Sequence, residues 1–273
     1  MQLLVHPFFD PETHSFSYVV THAQSRRSAV IDPVLNYDCA TRSARTTSAD
    51  AILEFVAAND LLVEWILETH VHADHVSAAR YLKSHLVCAQ IAISARVVEV
   101  QAQVAEQFGL TLPRDGSQFD RLLNDGDRIC LGRACGRVMH TPGHTPACAT
   151  YIFDDKAFVG DTLFMPDFGT GRCDFPNGCA RSLRHSIDKI FSLPDSTKLF
   201  MCHDYGPNGR DVRYLTTVAE EKRANVHVAQ RIARERFVQQ RESRDRTLTP
   251  PELLVPAVMA NVQGGIVVHT SGR

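Results

Sequence analysis

Thr69-His70-Val71-His72-Ala73-Asp74-His75 places three imidazoles and a carboxylate within six residues. It follows the apolar run Val63-Glu64-Trp65-Ile66-Leu67, which is short, β-prone and bounded by polar residues, and so predicts a buried strand. Residues two apart in an extended segment project to the same side, so His70 and His72 are expected to aim at one point. Asp74 and His75 follow where a helix over residues 76–85 is predicted. Histidines held by turn hydrogen bonds are the ordinary alternative, and with 13 His in the chain a single one says little. Three so close together, with an Asp between them, point to metal-site chemistry at the C-terminal end of a strand.

A chain of 273 residues can bury a sizeable core, and a net charge of -2 offers no basic footprint for nucleic acid. The first residues, Met1-Gln2-Leu3-Leu4-Val5-His6-Pro7, lack a charged stretch followed by an apolar one, and no run approaches the roughly 20 apolar residues that span a bilayer. A cytoplasmic protein without membrane or nucleic-acid partners is the expectation. The eight cysteines, at 39, 88, 130, 135, 148, 173, 179 and 202, contain no CxxC pair, so neither a zinc knuckle nor a disulfide framework is expected, and most are assigned to the core as small hydrophobes.

Outward from the opening stretch, short strands are predicted at Leu3-Leu4-Val5, residues 15–20 and Ala29-Val30-Ile31. Residues 36–48 are polar and predicted as a loop, with Ser48 capping a helix over residues 50–59. Ile91-Ala92-Ile93 predicts a strand, residues 96–108 a helix stopped by Gly109, and residues 111–122 a loop. Strands are predicted again at 129–131, 137–139, 149–153 and 156–159. Residues 215–245 suggest a long surface helix or helix pair with a solvated charged face, and residues 253–268 an irregular tail. Two mixed halves of this kind predict an α/β sandwich, two mixed sheets with helices outside.

Three more candidate ligands each follow an apolar strand: His144 in His140-Thr141-Pro142-Gly143-His144-Thr145, Asp161 in Gly160-Asp161-Thr162, and His203 in Cys202-His203-Asp204-Tyr205. Singly, each has an ordinary explanation as a core histidine or a turn residue. Together with the first stretch they resemble the metallo-β-lactamase superfamily, whose H-x-H-x-D-H pattern followed by His, Asp and His is matched by His70, His72, Asp74, His75, His144, Asp161 and His203. The resemblance implies the αββα fold over residues 1–273 as a single domain, with 215–273 as a C-terminal helical and irregular extension. In the two-metal members it implies His70, His72 and His144 on one ion, Asp74, His75 and His203 on the other, and Asp161 bridging.

Gly171-Arg172-Cys173-Asp174-Phe175 and His203-Asp204-Tyr205 resemble the G-R-x-D-F and H-D-Y segments of the persulfide dioxygenase branch, with Cys173 standing where Ala or Thr is expected. That branch implies one Fe(II) per chain on His70, His144 and Asp161, and oxidation of glutathione persulfide by O2 and water to glutathione and sulfite. Two imidazoles and one carboxylate leave open positions for oxygen and a sulfur donor. His72, Asp74, His75 and His203 would then orient ligands and waters. Tyr205 is expected to offer a hydroxyl near the iron. Arg172 is expected either to pair with Asp174 or to reach a glutathione carboxylate. A homodimer and a sulfurtransferase (rhodanese) partner enter from the resemblance alone. The same seven ligands also suit two Zn(II) and thioester hydrolysis, as in hydroxyacylglutathione hydrolases. A metal-binding or sulfide-sensing module without turnover is the reading from outside the enzymes.

Overall fold

The closely spaced early strands have nowhere to go but back alongside one another, because their connections are too short for a crossover. In the computed structural model, which describes residues 2–229 and 232–267, β1 (Leu3–Asp10), β2 (Ser15–His22) and β3 (Arg27–Ile31) pair antiparallel. β2 is buried along all eight residues, so Phe16, Tyr18, Val19 and Val20 lie on both of its faces without alternation. β4 (Val34–Asp38) and β5 (Ser43–Arg45) then form a hairpin inside residues 36–48. The loop expected there was suggested by polarity, and β5 is polar because all three of its residues are exposed.

α1 (Thr47–Ala58) starts from Thr46, which makes no side-chain cap bond. Ser48, expected as the cap, instead donates its hydroxyl to Asp10 Oδ1 at 2.9 Å. Next come β6 (Leu62–Leu67), β7 (Val76–Ser77), α2 (Ala79–His85), β8 (Gln90–Ser94), α3 (Val97–Phe108) and β9 (Arg121–Leu123). The helix predicted from residue 76 thus begins only at Ala79, since Val76 and Ser77 pair with β4. Gly109, at φ 64°, ends α3 in the left-handed conformation that costs glycine little. The first sheet has the order β1-β2-β3-β6-β8-β9, with β3, β6 and β8 parallel.

The later strands are β10 (Arg128–Leu131), β11 (Ala134–His140), β12 (Ala149–Phe153), β13 (Lys156–Phe158), β14 (Lys198–Phe200) and β15 (Leu215–Thr217). They form the second six-stranded sheet, neighbours antiparallel except β13 and β14. α4 (Ala180–Phe191) precedes β14 and was not predicted, although its buried Leu183, Ile187 and Ile190 recur at helical spacing. α5 (Val218–Ala224) and α6 (Arg234–Asp245) answer the predicted helix pair, and α7 (Leu254–Asn261) is a helix where an irregular tail was expected. Gly264-Gly265 suggested the irregular tail, but the two glycines follow the helix, at φ 69° and 84°. Residues 230, 231 and 268, which fall in those two predicted stretches, lie outside the described residues.

The described residues fall into two units. The first comprises 2–122, 131–134 and 250–267, and the second 123–130 and 135–249. The core of the second gathers Met139, Ile152, Leu163 and Leu199 with Leu183 and Ile187 of α4 and Phe237 of α6. No helix among the described residues is long and apolar enough to cross a membrane.

The cysteine expectations need correction. Cys130 and Cys135 form a disulfide across the β10–β11 turn. Cys148, Cys173 and Cys202 are buried, but Cys39 is half-buried and Cys88 and Cys179 are exposed. Five residues of separation around a hairpin bring two sulfurs together without any CxxC spacing.

Candidate metal centre

In the first unit the donors hang from the end of β6. Asp32 N donates to Leu67 O and Glu68 N to Ala92 O, so the chain stays in the sheet up to the residue before Thr69. Residues 69–70 and 73–75 then leave the strand as bends. His70 and His72 thus lie just past the end of the strand, and their rings meet as expected, centroids 4.0 Å apart, with His72 4.1 Å from His75. All three histidines are buried. Asn261 of α7 holds this stretch from behind: its amide donates to the carbonyls of His72 and His75 at 2.9 and 2.8 Å, and its oxygen accepts from Ser77 N at 2.8 Å.

The protons on His70 and His72 are set by Asp32, which directly follows β3. Thr69 N and the Thr69 hydroxyl donate to its two oxygens at 2.7 and 2.8 Å. Having given its proton to Asp32, the Thr69 hydroxyl accepts from His70 Nδ1 at 3.0 Å, which leaves the lone pair of that ring on Nε2. His72 Nε2 donates to Asp32 Oδ1 at 3.1 Å, with Glu68 Oε2 at 3.3 Å. Its Nδ1 is buried without a hydrogen-bond partner among the described residues. Burial disfavours charge on this ring, but Asp32 and Glu68 outweigh it and raise its pKa well above the ordinary imidazole value, so a metal at Nδ1 would take the place of a proton. A carboxylate on the other ring nitrogen is the usual partner of a metal-bound histidine.

Burial alone would raise both carboxyls beside His72. For Asp32, the facing imidazole and the Thr69 bonds outweigh burial and hold it below the ordinary carboxylate range. Glu68 is pushed up, by burial and by its proximity to Asp32, despite its bonds to His72 and to the Ser77 hydroxyl. Of the two, Asp32 gives up its proton the more readily. Asp74 lies at the rim, its oxygen 3.3 Å from His75 Nδ1.

In the second unit, His144 follows β11, Asp161 sits in a single 3-10 turn (Gly160–Thr162) after β13, and His203 follows β14. α4 sets the His144 turn: Cys179 N donates to Gly143 O at 2.8 Å, and a Cβ at Gly143 would lie 2.3 Å from the Leu183 main chain. His144 Nδ1 donates to Arg172 O at 2.7 Å, which leaves Nε2 to face Asp161 Oδ2, 3.5 Å away. Asp161 Oδ1 lies 3.4 Å from His203 Nε2. Electron-pair donors held face to face are what a cation reconciles, so the donor set fits a bound metal.

Arg172 pairs with Asp174 through two bonds of 2.6 Å, gives its remaining nitrogen to Thr249 O at 2.8 Å, and lies 5.3 Å from the Phe175 ring centre. Phe175 meets the His144 ring edge-on at 5.2 Å. Cys173 is buried in the core of the second unit, and burial pushes its thiol up, which makes it a poor nucleophile. Tyr205 stacks parallel to His203 at 6.0 Å with 39% of its surface exposed. Asp204 is buried against Arg210 and accepts from Arg213 N, so it braces residues 204–213. Sequence reasoning missed the orienting parts played by Asp32, Glu68 and Asn261. The acid immediately before Thr69-His70 was the available signal for Glu68.

A profile of the metallo-beta-lactamase superfamily matches residues 10–203. The chain is 51% identical, over 96% of its length and 93% of the relative's, to a probable metallo-hydrolase of Burkholderia pseudomallei. It is 42% identical to glyoxylase B2 of Dictyostelium discoideum, over 94% of this chain and 89% of that protein. It is also 32% identical to the human mitochondrial persulfide dioxygenase ETHE1, over 98% and 91% of the two. Among solved structures it is similar to ETHE1 from Myxococcus xanthus, with a TM-score of 0.79 and 31% identity over 96% of this chain and all of that one. Matched over most of its length by the profile, and end to end by relatives carrying the same fold, the chain belongs to the metallo-beta-lactamase superfamily.

Proposed function

We propose that the protein is a cytoplasmic persulfide dioxygenase that takes glutathione persulfide, O2 and water to glutathione and sulfite. The observation that carries the reading is the likeness, along the whole chain, to the ETHE1 structure of Myxococcus xanthus. The same reading assigns one Fe(II) to His70, His144 and Asp161. When bound, iron would supply the chemistry by which O2 reacts with a sulfur anion.

The chain's own residues do the rest. Asp32, through Thr69, keeps the proton of His70 on Nδ1, and the Arg172 carbonyl does the same for His144. Both rings therefore offer Nε2. Arg172 and Asp174 neutralise one another and hold Phe175 against His144, closing that flank to water. In this reading His72, Asp74, His75 and His203 orient ligands and solvent, and Tyr205 borders the approach of the substrate.

One observation favours a second reading, a binuclear-zinc hydroxyacylglutathione hydrolase. Asp161 turns one oxygen to His144 and the other to His203, the posture of a bridging carboxylate. Metal analysis of anaerobically purified protein, with oxygen uptake on glutathione persulfide and hydrolysis of S-lactoylglutathione, separates the two. About one iron per chain with oxygen uptake is expected. About two zinc per chain with thioester hydrolysis and no oxygen uptake would overturn the proposal.

A further inference from the structure

The carbonyl that sets the His144 proton belongs to a short loop, and α6 grips that loop on both sides of it. Arg241 Nη1 donates to Thr170 O at 3.1 Å, and Asp245 Oδ2 accepts from Cys173 N at 2.9 Å. The two side chains are joined to each other, Arg241 Nε and Nη2 lying 2.9 and 2.6 Å from Asp245 Oδ1. They stand four residues apart on α6, and both are buried. The main-chain groups flanking Gly171-Arg172 are thus each tied to a buried charge one helical turn from the other.

We propose that Arg241 and Asp245 form a positioning pair for His144, fixing the Arg172 carbonyl where it must accept from Nδ1. Neither residue touches a metal donor; both act through the main chain. A buried ion pair adds little stability over apolar residues of the same volume. An apolar pair here would fill the space yet leave Thr170 O and Cys173 N without these partners. Holding the main-chain groups on both sides of the Arg172 carbonyl is what the charged pair adds. Gly171 fits the same picture, because it lies so close to Asp161 O that the loop has one seat against the 3-10 turn.

The proposal rests on His144 being a metal ligand, as in the proposed function, but not on iron or on persulfide. The full chain is compared with the double variant Arg241→Met/Asp245→Leu, which leaves no uncompensated charge, with Arg241→Lys, and with His144→Ala. Two quantities are measured: affinity for Co(II) by chelator competition, and the His144 ring nitrogens by long-range 1H-15N NMR on metal-free protein.

The double variant is expected to fold, to lose the single Nδ1-protonated pattern of His144, and to bind Co(II) about 10 to 100 times more weakly, the usual effect of losing an outer-shell partner. Arg241→Lys is expected to fall between, since it keeps the charge without the guanidinium fork. A folded double variant with the wild-type ring pattern and affinity overturns the proposal. If the double variant fails to fold, Arg241→Lys with the wild-type ring pattern overturns it as well. Wild-type Co(II) affinity in His144→Ala would instead overturn the ligand assignment, while the ring nitrogens still decide what the pair does.

Discussion

The Thr69 hydroxyl donates to Asp32 at 2.8 Å and accepts from His70 Nδ1 at 3.0 Å, so a carboxylate acting through a hydroxyl decides which nitrogen of that ring keeps its lone pair. The same carboxylate accepts from His72 Nε2. In Asp32→Asn the side chain fits, and even its left-handed φ of 48° suits asparagine. Its oxygen must stay where Oδ1 serves two donors, which turns the amide nitrogen to the Thr69 hydroxyl. That hydroxyl then donates to His70 Nδ1 and moves the ring proton to Nε2. The expected outcome is a loss of about 10 to 100-fold in metal affinity. Isothermal titration of the metal-free protein checks it, and unchanged affinity would refute the relay.

Gly171 has no room to grow. A Cβ there would lie 2.1 Å from Asp161 O and 3.3 Å from His144 Nδ1. Gly171→Ala must therefore push the loop off the 3-10 turn and carry the Arg172 carbonyl with it. A stability loss of roughly 1–3 kcal/mol is expected from overpacking. Metal affinity is expected to fall at least about tenfold, in line with losing an outer-shell partner. Urea unfolding and metal titration read the two effects separately.

Much of this centre was legible in the chain because its chemistry-bearing residues are of unusual type in close order. His70, His72, Asp74 and His75 announce themselves, and His144, Asp161 and His203 each stand just past an apolar strand that the structure bears out. What stayed hidden is what orients them. Asp32 and Asn261 are ordinary residues whose part appears only when strands or a helix distant in sequence come together. The helical tail was misread for a related reason: Pro256 and the two glycines speak for loop locally, and the packing of Ala257, Val258 and Asn261 overrides them.

Asn261 gives this a measurable form. Buried to 4% exposure, it bonds three main-chain groups of residues 72–77. Asn261→Leu keeps the volume and removes all three bonds, so a destabilisation of roughly 2–4 kcal/mol is expected at about 1 kcal/mol per bond. Amide exchange at Ser77 is expected to accelerate more than exchange in β2. Uniform acceleration would mean that Asn261 supports the unit as a whole and not residues 72–77 in particular.

Glu221 on α5 offers a test of stability against pH away from the metal donors. Burial pushes its carboxyl up to about 8, helped by the charges of Glu220 and Asp167 and opposed by the Asn225 amide, which donates to Oε2 at 2.6 Å. A carboxyl that holds its proton more tightly folded than unfolded contributes stability in full below the unfolded value near 4.5, and loses it as pH rises through about 8. Glu221→Gln cannot ionise. Relative to wild type it is expected to be about equally stable at pH 4.5 and to gain on the order of a few kcal/mol by pH 8.5. Urea unfolding of both proteins across that range measures the difference. Asn225 also donates to Gly169 O, at the head of the loop that carries Arg172. Ionised Glu221 is therefore expected to hold that amide more strongly but at a cost to the fold, and a difference between the two proteins that stays flat with pH would show that the buried carboxyl titrates as it does in the unfolded chain.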